Sequence, residues 1–119
     1  MIWAQEGSAK KFFDGQSKPD RAKLGALFSY VAGLGTLFRH PQKFKKVGMA
    51  HAPGEHPHQA HAIYEFKSFQ LRFLGEFRPN REFVIAHGLR KKKDDLDDAD
   101  LSRAAVILSN EAAAKEKEP

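Results

Sequence analysis

The sequence contains no cysteine and only one tryptophan among its 119 residues. Without cysteine the chain has neither a disulfide framework nor a thiolate metal site, which suits a reducing compartment. It also lacks any apolar run near the roughly 20 residues that span a bilayer. Residues 1–11 do not show the order of a secretory signal, in which cations precede an apolar core. These absences predict a soluble, cytoplasmic protein that does not enter a membrane.

Phenylalanine and basic residues, by contrast, are abundant. Ten residues are phenylalanine and 41% of the chain is hydrophobic, which is too apolar for a disordered chain. The length matches the usual size of one domain. Twenty lysines and arginines against fifteen acidic residues leave a formal charge of +5, and a positive excess favours polyanionic partners. We therefore predict one domain over residues 1–119.

Local patterns in the N-terminal half predict two helices. Residues 1–5 are a candidate first strand, and 8–14 is expected to be a short helix with Ser8 as its N-cap and Gly15 at its end. A second helix begins at residues 17–20, with Pro19 in the first turn, and ends at Gly33 and Gly35. Its predicted buried stripe comprises Leu24, Leu27, Phe28, Val31 and Leu34.

The C-terminal half alternates between strand and turn patterns before a last helix. Segments 62–67, 70–78 and 81–88 are expected to pair as antiparallel strands, with a tight turn at Pro79 and Asn80. A helix should begin near Asp97 or Asp98, because carboxylates there meet the positive end of its dipole. Its predicted buried residues are Leu101, Ala105, Leu108 and Ala112. The prediction is an α+β fold: two N-terminal helices packed on an antiparallel sheet of three to four strands, with a C-terminal helix.

Two segments show no periodic pattern. Residues 48–61 are rich in glycine, proline and histidine, and we expect a flexible loop there. Residues 115–119 are charged and are expected to fray. Four histidines of the loop, with Glu55, have enough ligands for zinc or nickel, but their spacing matches no closed motif, and we predict no metal site and no cofactor. Those histidines are His51, His56, His58 and His61.

Basic side chains recur along the predicted strands and at the end of the last one. We expect these side chains to converge on one phosphate-bearing ligand, and RNA is the first partner to consider. An alternative to phosphate binding for residues 90–93 is a solvent-exposed segment that leads into the last helix. In that case the carboxylates of the following acidic run partly neutralise the cations. The predicted cations are Lys67, Arg72, Arg78, Arg81, Arg90, Lys91, Lys92 and Lys93.

The order of the strand motifs IYEFK, QLRFL and HGLRKKK, followed by a helix marked by Arg103 and Ala104, resembles the RelE/HigB toxin superfamily, in particular its phage-derived HigB-like branch. The resemblance covers roughly residues 18–108. It implies a microbial RNase-like fold and a toxin of a type II toxin–antitoxin module. Such a toxin is an endoribonuclease that cleaves messenger RNA on the ribosome, without a metal. Its implied partner is an antitoxin with a helix-turn-helix DNA-binding domain.

Carried over residue by residue, the resemblance implies that Lys67, Arg72 and Lys91 are catalytic, the last from a family lysine pair that falls among residues 90–92. Arg72 is expected to grip two phosphate oxygens. Lys67 and Lys91 are expected to act as compact charges, and their mutual repulsion would lower an ammonium pKa. The remaining predicted cations, Arg78, Arg81, Arg90, Lys92 and Lys93, are expected to bind RNA.

His87 is the fourth catalytic candidate, because imidazole titrates near neutral pH and the residue lies beside the basic cluster. A strict period of two would place Phe83, Ile85 and His87 on one face, which favours a structural histidine instead. The segment after Leu108 has no aromatic or histidine residue to act as a C-terminal acid or base. Two other functions therefore stay open: a toxin or regulator that binds a protein such as DNA gyrase, and an inactive phage-derived remnant.

Overall fold

The computed structural model describes residues 1–91 and 96–116. Within these ranges the chain has three α-helices and one five-stranded mixed sheet, so the α+β class is confirmed. The elements are β1 Ile2–Trp3, α1 Ser8–Asp14, α2 Lys18–Leu34, β2 Phe44–Ala50, β3 His61–Ser68, β4 Leu71–Arg78, β5 Glu82–Arg90 and α3 Asp98–Glu116.

The sheet has the order β1-β5-β4-β3-β2. The three predicted strands pair antiparallel, as expected, while β1 lies parallel to β5 through Ile2↔Val84 and Trp3↔Ile85. The predicted number of strands, three to four, was therefore too low, and the sheet is mixed and not purely antiparallel. The prediction missed β2, an edge strand whose last residues fall in the predicted loop over residues 48–61. Only Phe44 of this strand is buried, and a bulge between Lys46 and Gly48 interrupts its alternation.

Helices cover both faces of the sheet. Helices α1 and α2 pack on one face and α3 packs on the other, so each face has its own apolar core. The first core is mainly aromatic and includes Trp3, Phe28, Phe66, Phe73 and Phe83. The second consists of smaller residues, among them Ile63, Leu74, Val84, Ala104 and Leu108. The sheet is thus the middle of three layers.

Helix α2 begins as predicted, since Ser17 caps it by accepting a hydrogen bond from the amide of Asp20 at 3.2 Å. Four of the five stripe residues are buried, but Leu34 is half exposed. At 100° per residue Leu34 lies about 80° around the helix from Leu24, so it leaves the buried stripe. The cap of α1 was also predicted wrongly, because Gly7 precedes the helix with φ 91° and Ser8 is its first residue.

The unpatterned segments are more ordered than expected. Residues 48–50 belong to β2, His61 begins β3, and a short 3-10 turn spans Pro57–Gln59, which contradicts a loop over all of 48–61. Helix α3 begins at Asp98, as predicted, and continues to Glu116, into the segment expected to fray. Residues 117–119 lie outside the described part. Along α3, Ala105 and Leu108 are buried as predicted, while Leu101 and Ala112 are half-buried.

In the described ranges, no helix is both long and apolar enough to cross a membrane.

Candidate RNA-binding site

The strand register brings three of the predicted catalytic residues to one end of the sheet. Lys67 of β3 lies directly opposite Arg72 of β4, and Arg72 lies opposite Leu89 of β5. The amide of Lys91 donates to the carbonyl of Gln70 at 2.7 Å, at the same end. Side chains that lie directly opposite on neighbouring strands share a face. Lys67, Arg72 and Lys91 form what we call the basic end of the sheet, beneath the start of α3.

Arg72 is inside the molecule and not on its surface. Its side chain is 2% exposed, and its Nε lies 3.6 Å from Oε2 of Glu65, which is also buried. Its Nη1 donates to the carbonyl oxygens of Leu71, at 3.1 Å, and of Phe69. The guanidinium therefore holds the β3–β4 turn from within. A direct grip on phosphate, as the sequence predicted, does not fit this burial.

Lys91 contacts the first turn of α3. Its Nζ lies 2.7 Å from Oδ2 of Asp97 and 3.5 Å from Oδ2 of Asp100. The hydrogen bond to Asp97 is the main reason that the pKa of Lys91 is raised. This direction is opposite to the expected lowering by a neighbouring ammonium, because carboxylates and not cations dominate around the group. Lys91 is therefore a permanent positive charge and not a proton acceptor.

His87 faces α3, and the predicted face-sharing with Phe83 and Ile85 is wrong. In the β4–β5 ladder Leu74 pairs with His87 but Gly75 pairs with Ile85, so Ala86 is an extra residue that shifts the alternation. Phe83 and Ile85 join the α1–α2 core, whereas His87 Nε2 lies 3.6 Å from Oδ1 of Asp100. Burial lowers the pKa of His87, and Asp100 opposes this in part. The imidazole is therefore mainly neutral at pH 7.

Of the other predicted RNA-binding residues that the structure describes, Arg78 and Arg81 lie away from the basic end. Arg78 lies at the far end of β4, about 23 Å along the strand from Leu71, where it contacts Glu76 and the carbonyl of Leu108, each at 3.1 Å. Arg81 is exposed in the next turn. Arg90 is near the basic end but points to the opposite face, where it donates to Gln16 at 3.0 Å. Lys92 and Lys93 lie outside the described residues.

A cavity of about 820 Å³ lies beside the basic end, between α2 and the β3–β4 turn. We call it the aromatic groove. Sequence reasoning missed it, although Lys23, Ala26 and Tyr30 follow one another at i, i+3 and i+7 on α2, next to the buried stripe. That second stripe was the available signal. The residues that line the groove and carry rings or charges are Lys23, Tyr30, Phe38, His40, Lys43, Lys67 and Phe69.

The histidine-rich loop contributes a hydrogen-bonded chain that the sequence did not indicate. Nδ1 of His61 lies 2.7 Å from Oε2 of Glu76, and its Nε2 lies 2.8 Å from Oγ of Ser109. Ser109 in turn donates to Oε1 of Glu55 at 2.6 Å. This hydrogen bond is the main reason that the pKa of Glu55 is lowered. Among the residues described, no group of histidines and carboxylates is arranged to hold a metal ion.

Comparison with known proteins leaves the family open. No family model matches the chain, and neither a curated protein nor a solved structure matches it significantly.

Proposed function

We propose that this protein is a RelE/HigB-type toxin that cleaves messenger RNA at the basic end of the sheet. One observation supports the proposal above all others: the strand register gathers Lys67, Arg72 and Lys91 at one end of one face. Cleavage without a metal needs fixed positive charge where the phosphate becomes more negative. Lys67 on β3 and Lys91 directly after β5 provide such charge once phosphate displaces Asp97 and Asp100 from the Lys91 ammonium group.

Each side chain has a role in this scheme. His87, neutral at pH 7, takes the proton of the ribose 2′-hydroxyl as its oxygen attacks the adjacent phosphorus. The bond from phosphorus to the 5′-oxygen breaks, leaving a 2′,3′-cyclic phosphate, and Lys67 gives a proton to the leaving oxygen. Lys91 stabilises the phosphate charge. Arg72 is a positioning residue, because its buried guanidinium holds the turn that follows Lys67.

Transcript mapping of a translated message by primer extension tests this function. The Lys67→Ala and Lys91→Ala variants should cut about 100-fold more slowly or worse, the usual effect of removing one stabilising group. The matched control is Lys45→Ala, which removes an exposed lysine of β2 and should cut normally. Intact transcripts with the wild type, or normal cutting by both variants, would refute the proposal.

Arg72 is a poor first target for this test. Removing its side chain leaves the carboxylate of Glu65 buried without the guanidinium of Arg72. Removing one partner of a buried ion pair lowers the free energy of unfolding by about 3–5 kcal/mol. An inactive Arg72→Ala variant would therefore report unfolding as readily as lost chemistry. Any Arg72 variant should be assayed beside its urea unfolding curve, and only a folded variant bears on the mechanism.

The acidic start of α3 provides a second, sharper test. Asp97 and Asp100 already neutralise Lys91, so an RNA phosphate must compete with them for its ammonium group. Asp97→Asn should weaken this competition and increase both RNA binding and cutting. Asp98→Asn removes the same charge from the same first turn, without a contact to Lys91 in the described ranges. Equal effects of the two variants would show that Lys91 does not hold phosphate.

The implied partners can be tested in cells. Under this proposal the protein acts in the cytoplasm on ribosome-bound messenger RNA, and an antitoxin with a helix-turn-helix DNA-binding domain restrains it. Co-expression with the product of a neighbouring gene should restore both growth and transcript integrity. Inhibited DNA supercoiling with intact transcripts would instead select the gyrase-binding alternative, and unaffected growth would select the inactive remnant.

A further inference from the structure

The aromatic groove contains a residue whose conformation opposes stability. Phe69 has φ 53°, in the left-handed region, and its side chain is 75% exposed. This region is disfavoured for a non-glycine residue, because its Cβ atom approaches the following carbonyl oxygen. An exposed ring recovers little free energy by burial. The two-residue turn between the paired residues Ser68 and Leu71 accounts for the positive φ. The turn does not need a large exposed ring at this position, where glycine or asparagine is usual, so the ring of Phe69 is available to a ligand.

The groove has further rings in reach of a ligand. Tyr30, which is 63% exposed, stacks on Phe38 with centroids 6.3 Å apart, and Phe38 stacks on His40 at the same distance. The interplanar angle is 29° for Tyr30 and Phe38 and 20° for Phe38 and His40, so each neighbouring pair of rings is stacked. Successive flat rings of this kind are what nucleobases stack on in proteins that bind single strands.

The charge of the groove complements phosphate. Nζ of Lys23 lies 4.7 Å above the ring of Phe69, and Lys43, which is exposed, lines the same groove. Neither lysine has a carboxylate partner in the described part of the chain. None of the described residues that line the groove is acidic. Rings that alternate with lysines therefore offer both stacking surfaces and phosphate contacts.

We infer that the aromatic groove binds single-stranded RNA, with bases stacked on Phe69 and on the Tyr30–Phe38–His40 rings and with phosphates at Lys23 and Lys43. The choice of RNA over DNA rests on the proposed function, whereas the stacking and charge arguments do not. A single strand is favoured because paired bases within a duplex cannot place their faces on protein rings. The groove would deliver a strand to the adjacent basic end.

Fluorescence anisotropy with a labelled 12-nucleotide 2′-O-methyl RNA tests the site, since this probe cannot be cleaved through its 2′-oxygen. Phe69→Gly should weaken binding about 5-fold to 150-fold, the range for loss of one stacked base. Glycine adopts φ 53° freely, so this variant should melt at or above the wild-type temperature. The matched control is Leu37→Ala, which removes an apolar side chain, 71% exposed, outside the groove, and it should bind normally.

Several results would overturn the inference. They are undetectable binding by the wild type, unchanged binding by a folded Phe69→Gly variant, and binding of the RNA duplex as tight as that of the single strand. A DNA strand of the same sequence bound as tightly as RNA would overturn the assignment to RNA. The binding and cleavage assays give separate answers. A wild-type protein that binds the probe but does not cut RNA refutes only the proposed function. A wild-type protein that cuts RNA, with a Phe69→Gly variant that binds the probe normally, refutes only the groove.

Discussion

Gly75 of β4 pairs with Ile85 of β5, next to the point where the register of the two strands shifts. A Cβ atom on it would lie 2.0 Å from the carbonyl oxygen of Val84 and 2.5 Å from the ring of Phe83. Gly75→Ala should therefore lower the free energy of unfolding by at least about 1–3 kcal/mol, the usual cost of overpacking. Urea denaturation measures this change.

The control for Gly75 is Gly25 on α2. A Cβ at Gly25 would meet no heavy atom within 4 Å, so Gly25→Ala should increase the free energy of unfolding by about 0.5–1 kcal/mol through helix propensity. A Gly75→Ala protein as stable as the wild type would show that the two strands separate at little cost.

His87 should make stability depend on pH. Its pKa is lowered by burial, so the unfolded chain binds a proton at this residue more readily than the folded one. The free energy of unfolding is therefore not reduced by His87 above the ordinary histidine pKa of about 6.5. It decreases as pH falls through that value towards the lower pKa of His87 in the folded protein. Thermal melts should therefore show a lower melting temperature at pH 5.5 than at pH 7.5.

A His87→Asn variant should lose part of that pH dependence. If His87→Asn retained the full wild-type dependence, the buried imidazole would not be its source.

Residue identities alone could not predict the environments of the basic residues. The sequence indicated correctly that Lys67 and Arg72 come from strands that pair. It could not indicate that Arg72 would be buried in an ion pair with Glu65, or that Lys91 would pair with Asp97. Both ion pairs depend on where α3 and β3 lie in space. A cation is a phosphate ligand only where solvent and phosphate reach it, and accessibility is a tertiary property.

At the scale of elements, α3 and the loop over residues 51–60 form one unit through Ser109, which donates to Glu55 and contacts His61. Ser109→Ala removes the donor, so it should increase amide hydrogen exchange in residues 51–60. Exchange in the interior of β4 should change less.

Ser102→Ala, on the same helix, is the matched control for Ser109→Ala and should leave the loop protected. Loop exchange that is equal in the two variants would exclude Ser109 as the link between loop and helix.

The predictability of each element followed from the strength of its periodic signal. Helix α2 carried a cap, a proline in its first turn and five apolar residues at helical spacing, four of which are buried. Strand β2 carried only Phe44 as a buried residue, and its bulge disrupted the period of two. An edge strand has one strand neighbour and little burial, so its sequence is only weakly constrained.

At the scale of the whole molecule, the charge is unevenly distributed. The aromatic groove is lined by lysines and by no described acidic residue, while the start of α3 concentrates aspartate around Lys91. If Lys23 and Lys43 each neutralise one phosphate, the logarithm of the RNA binding constant should fall with the logarithm of salt concentration, with a slope of about −1.4 from these two contacts.

Lys43→Gln should reduce the magnitude of that slope by about 0.7. Lys10→Gln removes the same charge from an exposed lysine of α1 that is paired with Asp14 at 2.7 Å, and it should not change the slope. Salt titrations that gave the same slope for both variants would contradict a phosphate contact at Lys43.

The sequence by itself determined the α+β class, the antiparallel pairing of β3, β4 and β5, and the start of α2 and α3. These follow from local periodicity and capping, which act over a few neighbouring residues. Only the tertiary structure decided which cations are buried, which are paired and which line a groove. Those outcomes depend on contacts between residues far apart in the chain, such as Lys23 with Phe69 and His61 with Ser109, and no local pattern encodes them.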